Sequence, residues 1–483
     1  MSKPIRSVRT GVVPLPSATR IRHDIEQMLA FGPRLPGHPN HARFVDWLEG
    51  RFASAGLEIL ADEPQTCRRW DLHACGLDLE GRPGAIRRHT PYARSRPTGP
   101  AGVRGPLAYG GRINAGDPIA PGEIVRGAIA VFDASLPAVT LESMSRGTRA
   151  PYVHLPGESR EAYMTRPYRR PWLTPAFSME ELAAAGIVGL VIVLDLSSDI
   201  VAGNFSPHHS AYHPPLPALF VGREEGDLLR ARARAGARAK LTLDAAWRDA
   251  TVRAVTAFLP GASEELIILD THTDGLNFVQ ENGGVALVQL ARHFASLPQG
   301  SCLRRGLVFA GWPGHLAGDL PEARGWIDAH PDLMARAAAA LTIEHLGASE
   351  WEEIPGRGYS PTGRSEFMNM AVTRGRFMDL VIEGIRSHDL RWHGVQPGPG
   401  VTVGAAFHQA GIPHMGCIAG PSYLLGTAAD GHVGKLDAAL AERQIAMLAG
   451  LVRAVDAVPA DALRGDASLG LQVGPALRIP GVH

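Results

Sequence analysis

The segment THTDGLNFVQENGG, residues 271–284, sets His272, Asp274, Glu281 and Asn282 directly after the apolar run ELIILD. Such residues suit proton transfer or metal binding. A histidine held by a carboxylate through its second ring nitrogen is a tuned general base or a metal ligand; a glutamate raised in pKa by partial burial is a proton donor. The plainer reading is a polar turn that starts a helix, with Asn282 as N-cap and Glu281 at the positive end of the helix dipole. For those two residues a cap and a site fit equally well, whereas a turn needs neither His272 nor Asp274 to close. Two further strand ends repeat the pattern. RRGLVFAGW ends on Trp312 and runs into PGHLAG, which presents His315, and AALTIEHLG ends on Glu344 and His345. TAADGHVGKLD adds Asp430 and His432 ahead of the last helix. A lone histidine at any of these places is ordinarily a hydrogen-bonded structural residue, but convergence on one sheet edge points to a site. There, His272 with Asp274, or His315 with Glu344, would form the acid–base pair. With no Gly-x-Ser-x-Gly elbow and no reactive-cysteine signature, an acyl-enzyme route has no support.

The elements that must position these residues are legible from periodicity. Ile21, Ile25 and Leu29, then Phe44, Trp47, Leu48 and Phe52, predict two amphipathic helices flanking FGPRLPGHPNH. From 97 to 248 the short runs GAIAVFD, VGLVIVLD, LPALFVG and AKLTLDAAW predict a separate β-rich or small α/β unit. Within it, RGTRAPYVHLPGESREAYMTRPYRRPWLTP reads as a long loop, whose Arg166, Arg169 and Arg170 either face solvent or meet a substrate carboxylate. NFSPHHSAYHPPLP, with His208, His209, Tyr212 and His213, reads as a surface loop, a lid or a substrate wall rather than a metal site. From 249 onward strands alternate with helices at 284–296, 321–340, 376–388 and 436–457, predicting a largely parallel sheet covered on both faces. Open sheets of this kind bind ligands at the carboxyl ends of their strands. Trp351 and Tyr359 in SEWEEIPGRGYS, and Tyr423 in AGPSYLLG, are candidate substrate contacts beside that edge.

A chain of 483 residues outgrows one hydrophobic core, so two domains, one inserted in the other, are expected. Basic and acidic side chains balance at 48 each, leaving no field to draw nucleic acid or anionic lipid; the expected partner is a small molecule or short peptide, with oligomerisation left open. Cys67, Cys75, Cys302 and Cys417 are too scattered for a disulfide scaffold or a zinc finger and read as reduced thiols. MSKPIRSVRTGVVPLP lacks an apolar signal core, and Asp195 interrupts the most apolar stretch, AAAGIVGLVIVLDL, so a cytoplasmic protein is expected.

Several segments together resemble the zinc aminopeptidase superfamily that includes leucyl aminopeptidases, glutamate carboxypeptidase and glutaminyl cyclase. GPRLPGHPNHARFVDWLEGRFASAGLEI is similar to its opening Gly-x-Arg-x-x-Gly segment and helix, and VTAFLPGASEELIILDTHTDG to the strand pair leading to the metal. VRGAIAVFD, AAAGIVGLVIVLD and LPALFVG resemble its inserted protease-associated domain; FHQAGIPHMG and DGHVGKLD resemble its closing landmarks. The resemblance implies an aminopeptidase-like, phosphorylase/hydrolase-like α/β fold, with residues 1–96 and 249–458 forming the catalytic domain, 97–248 the β-rich insert and 459–483 a tail. It places His272 at the first zinc ligand, Asp274 at the carboxylate that orients it, Glu281 at or beside the bridging aspartate and Glu344 at a ligand of the other metal. The family's Glu-Glu pair, general base and ligand, falls on Trp312 and Pro313, and its last ligand histidine falls near Gly426. A two-zinc site is therefore not expected. A rearranged shell of His272, Glu281, Glu344 and His315 or His432 still offers nitrogen and oxygen ligands for one divalent ion, zinc first, with a metal-free polar pocket as the alternative. His345 completes the candidate catalytic residues; Asn282, Trp312, Trp351, Tyr423 and His432 are the candidate substrate contacts. The implied reaction is hydrolysis of an amide or related acyl bond. A metal-independent lyase or cyclase, and a binding protein with a decayed peptidase site, are the competing readings.

Overall fold

Strands that are apolar on both sides must be covered on both sides, and three neighbouring segments of the second half of the chain meet that condition throughout. Leu266–His272, Gly306–Trp312 and Ala337–Ile343 are buried at every position. In the computed structural model, which describes residues 12–114, 117–144, 152–298 and 303–464, they lie at the centre of a nine-stranded sheet. Cys302, the loop start 145–151 and the tail beyond 464 lie outside the described residues. The sheet runs Glu58–Leu60, Val255–Leu259, Gly306–Trp312, Leu266–His272, Ala337–Ile343, His414–Ala419, Met368–Val372, His393–Pro397 and Tyr152–His154. Its central members, Gly306–Trp312 to His414–Ala419, pair in parallel, and antiparallel strands flank them. The mixed α/β architecture and the parallel centre agree with the sequence reading.

Alternation along the strands sorts the core into two faces. Ile267, Leu269, Leu307, Phe309 and Leu341 pack under the helices Ala18–Leu29, Pro39–Ala55, Gly283–Ala295, Arg376–Ser387 and Ala438–Ala457. Leu266, Ile268, Val308, Ala310 and Trp312 pack on the opposite face against Trp326 and Phe407, from the short helices Glu322–Ala329 and Ala405–Gln409. The expected helix over 321–340 is broken because Pro331 starts a second helix, Pro331–Arg336, and the alanines that follow enter the strand Ala337–Ile343. No helix of the described residues is long and apolar enough to cross a membrane.

A second, seven-stranded sheet runs Gln65–Leu79, Arg238–Val252, Gly99–Ile113, Ile129–Ala134, Gly189–Leu194, Ala218–Val221 and His89–Pro91. Tyr152–His154 leaves it and pairs with His393–Pro397 at the edge of the first sheet. In the arginine-rich segment after it, all three guanidinium groups are engaged by carboxylates of this chain, although Arg169 stays exposed. Arg170 is fully buried and forks between Glu366, at 3.0 and 3.1 Å, and Glu352, at 2.9 Å. Arg166 pairs with Glu350 at 2.7 Å and Arg169 with Asp195 at 2.9 Å. Carboxylates of this chain have taken the guanidinium groups.

Several core histidines are held neutral by burial. His393 Nδ1 donates to Arg391 O at 2.7 Å and its Nε2 accepts from Gln444 Nε2 at 2.9 Å, and its pKa is pulled down to about 4, chiefly by burial. An unfolded chain would protonate this ring near 6.5. Below that pH the unfolded state holds a proton that the native state does not, so the ring's contribution to stability is complete above 6.5 and is lost as pH falls toward 4. The destabilisation caused by His393→Gln should accordingly shrink by about 1.4 kcal/mol per pH unit over that window, as read by urea unfolding of both chains.

Candidate metal and active site

The central strand Leu266–His272 delivers His272 to its carboxyl end, where the ring Nδ1 donates to the carbonyl of Asp274 at 2.8 Å. That bond fixes the tautomer and leaves a bare lone pair on Nε2, which has no partner. The neighbouring strand Ala337–Ile343 is followed by Glu344 and His345. The backbone of His345 is left-handed, with φ 58°, which interrupts the alternation of an extended chain and lets both consecutive side chains join the group. Asn282 pins this bend, donating to Leu346 O at 2.7 Å and accepting from Leu346 N–H at 2.9 Å. His345 Nδ1 donates to Ala419 O at 2.5 Å, and Glu344 Oε1 accepts from Val403 N–H at 2.9 Å.

Three atoms remain: His272 Nε2, Glu344 Oε2 and His345 Nε2, all buried and all without a partner. Oε2 stands 4.0 Å from one nitrogen and 3.9 Å from the other, too far for hydrogen bonds. All three lie within 4.8 Å of one another. Donors ringed at about 2 Å around one ion stand roughly 3–4 Å apart, so the set fits a single divalent cation. Burial pulls His272 down to about 3 and His345 to about 4, which keeps both rings in the neutral, metal-binding form. Burial also pushes Glu344 well above the usual carboxylate range, and Asp270 and Glu322 nearby push it further. Such crowding of acids is relieved by positive charge.

Other predicted residues stand elsewhere. The Asp274 carboxylate does not orient His272; it accepts from the N–H groups of Gly314 at 3.0 Å, His315 at 3.3 Å and Leu316 at 2.6 Å, and only its carbonyl reaches the ring. Glu281 does not join the group. Its carboxylate is buried against Arg34, which also donates to Asn277 O at 3.0 Å, so a guanidinium of this chain faces it. Asn282 heads the helix Gly283–Ala295 without a side-chain cap bond, its amide being spent on Leu346. Trp312 is core, packed on Trp326 at 5.7 Å and Phe407 at 6.0 Å. Tyr423 is likewise buried, stacked on Phe278 and donating to Ser349 O at 2.9 Å. Trp351 packs on Tyr359 under Lys435 Nζ. His432 bonds Lys435 at 3.1 Å, and its Nε2 lies 2.7 Å from where a Cβ on Gly426 would stand; the ring fills the space of the side chain missing there.

His315 belongs to a different set. It stacks on His272 with ring centroids 4.2 Å apart, and it meets His209 at 4.3 Å and His208 at 5.7 Å. His208 and His209 were read from sequence as loop residues; the only signal was the doubled histidine itself, and nothing local places it beside PGHLAG. Glu322 was also missed. It starts its helix with φ 45°, and its Cγ lies 3.1 Å from a Cβ built on Gly314, next to Pro313 in the chain. Burial, with Asp274 beside it, raises its pKa to about 7. A cavity of ≈ 330 Å³ opens next to the Arg34–Glu281 pair, lined by Leu29, Pro33, Leu276 and the loop 427–431.

No family model matches the sequence, and no curated protein sequence matches it. Solved structures do. A peptidase M28 precursor from Shewanella amazonensis superposes with TM-score 0.63 at 16% identity, over 91% of this chain and 96% of that one. A zinc aminopeptidase from Bacillus subtilis gives 0.59 at 15% identity, over 93% and 98%. An aminopeptidase from Aneurinibacillus sp. gives 0.55 at 16% identity, over 90% and 93%. The fold is that of the zinc aminopeptidases. On this aminopeptidase fold, the Arg34–Glu281 pair is a testable departure. Arg34→Met leaves a buried, unpaired carboxylate and should cost about 3–5 kcal/mol, whereas Arg34→Met with Glu281→Leu should recover most of it. Glu281→Gln should leave the metal content per chain unchanged, as measured by elemental analysis.

Proposed function

We propose that the chain is a hydrolase that cleaves an amide or related acyl bond in a short peptide or similar small molecule, with one divalent ion, zinc by its donor set, held by His272, Glu344 and His345. The observation that carries this reading is the convergence of three buried, unpartnered ligand atoms on an aminopeptidase fold. A bound ion of this kind polarises a carbonyl and lowers the pKa of water. The chain's own residues do the rest. His272 and His345 are held neutral and aimed by the carbonyls of Asp274 and Ala419. Glu322 takes the place of the lost glutamate pair as proton carrier: a carboxyl with a pKa near 7 is suited to accept a proton from water and return it to a leaving amine. The seven-stranded sheet, whose strands run from Gln65 to Val252 and so begin ahead of the 97–248 expected, would serve as a protease-associated insert, with its 204–211 loop covering the site. Cys67, Cys75 and Cys417 are free thiols, which suits a reducing, cytoplasmic setting.

One observation favours a second reading. His272, Glu344 and His345 have no solvent exposure, as in a closed structural metal site. Glu322→Gln separates the two. In the hydrolase it should lower kcat by roughly 10²–10⁴-fold toward aminoacyl and acyl-amide substrates with metal content unchanged, while His345→Ala loses activity together with the ion of this set. A wild-type chain that holds an ion lost on His345→Ala but turns over no member of such a panel would have a structural site, and full activity in excess chelator would refute the metal mechanism.

A further inference from the structure

The insert and the catalytic sheet meet at a cluster of imidazoles that the proposed reaction does not use. His208 and His209 come from the insert loop and His315 from the loop after Gly306–Trp312. Each offers a ring nitrogen, and the three nitrogens lie within 4.8 Å of one another. His315 is 4% exposed, and its Nδ1 has no partner. The His209 ring meets that of His315 edge-on, with centroids 4.3 Å apart.

Both loops are fixed independently of the rings. Arg94 donates to His208 O from one side of its guanidinium and to Ala317 O from another, stapling the two segments together. Asp319 faces Arg94 and offsets its charge. The backbones touch as well: a Cβ on Gly318, whose φ is +74°, would fall 2.8 Å from the carbonyl carbon of Ser210. The scaffold thus presents three imidazoles to one point from two separate parts of the chain. Packing alone does not account for them. Ring contacts at 3.8 to 5.7 Å satisfy carbon surface, but they leave the buried Nδ1 of His315 without a donor.

We infer that His208, His209 and His315 form a metal site of their own, which takes a divalent first-row ion and clasps the insert loop onto the catalytic sheet. Three neutral imidazoles with no carboxylate select zinc, cobalt, nickel or copper over magnesium or calcium, and they leave a fourth position for water or an outside donor. The site is separate from the His272, Glu344 and His345 set and stands whether or not that set binds an ion.

The full chain, stripped with chelator and titrated with Co2+ alone, tests this by metal per chain and visible absorption. Two equivalents are expected in the wild type. His208→Gln with His209→Gln should lose one, and His272→Ala with His345→Ala should lose the other. If the hydrolytic site binds no ion, the wild type takes one equivalent, and only the 208/209 variant loses it. Equal uptake and an unchanged spectrum in the 208/209 variant overturn the inference. A second measurement needs no variant: Co2+ should slow proteolysis within residues 204–213 of the wild type by about tenfold or more, since a bound ion disfavours the opened loop. Equal rates with and without Co2+ count against the clasp.

Discussion

Three buried lone pairs without a donor govern the carboxyl end of the central sheet. Nε2 of His272, Oε2 of Glu344 and Nε2 of His345 each belong to a side chain whose other polar atom is held by a main-chain group. The arrangement is costly by itself, because a buried acceptor left unmade forfeits the full desolvation penalty of about 1–3 kcal/mol. Chain features nearby make sense as support for it. The left-handed turn at His345, the Asn282 clamp on Leu346 and the Asp274 carboxylate that gathers three N–H groups of 314–316 all hold ligand-bearing loops in place without touching the ligand atoms.

A second constraint bears on Glu281, the other buried carboxylate of this loop. The sequence puts a glutamate where the fold's relatives are expected to bridge two metals, and the structure gives that glutamate a guanidinium. Arg34 reaches Glu281 from the loop between the first two helices, through a gap over Gly275, where a Cβ would stand 1.5 Å from Glu281 Oε2. A buried ion pair answers the carboxylate's charge locally, so a cation beside it would meet repulsion rather than a ligand. Glu344 has no such partner: burial pushes its carboxyl up, and Asp270 and Glu322 nearby push it further.

Much of the fold was legible in the sequence, because burial on both sides of a strand and the helical period are local signals. ELIILD, RRGLVFAGW and AALTIEHLG announced the central strands, and the helices at 18–29, 39–55 and 283–295 followed from their apolar stripes. The site was legible in part. His272, Glu344 and His345 stand at strand ends and could be placed by topology. Trp312, Tyr423 and Asn282 stand there too, yet each is consumed by packing or by a main-chain bond, which depends on partners distant in sequence. The same distance hid Arg34, His208, His209 and Glu322: each acts through a neighbour far along the chain, and no periodicity encodes such pairs.

The stacked rings of His272 and His315 join the two halves of this picture. On one side of the stack lies an acid-rich pocket built wholly from the catalytic sheet; on the other lie imidazoles from the insert. Arg94 is what makes the juxtaposition possible, since a loop lined by Pro207 and Pro214 has no strand of its own to hold it against Ala317. A side chain that spends its donors on two carbonyls, one from each segment, sets the height of the insert above the sheet. In the proposed hydrolase the insert would form part of the site's wall, and access to the buried ligand atoms would pass the 204–211 loop. Selectivity for what enters would then reside in the seam between the sheets, while the chemistry stays with the strand ends.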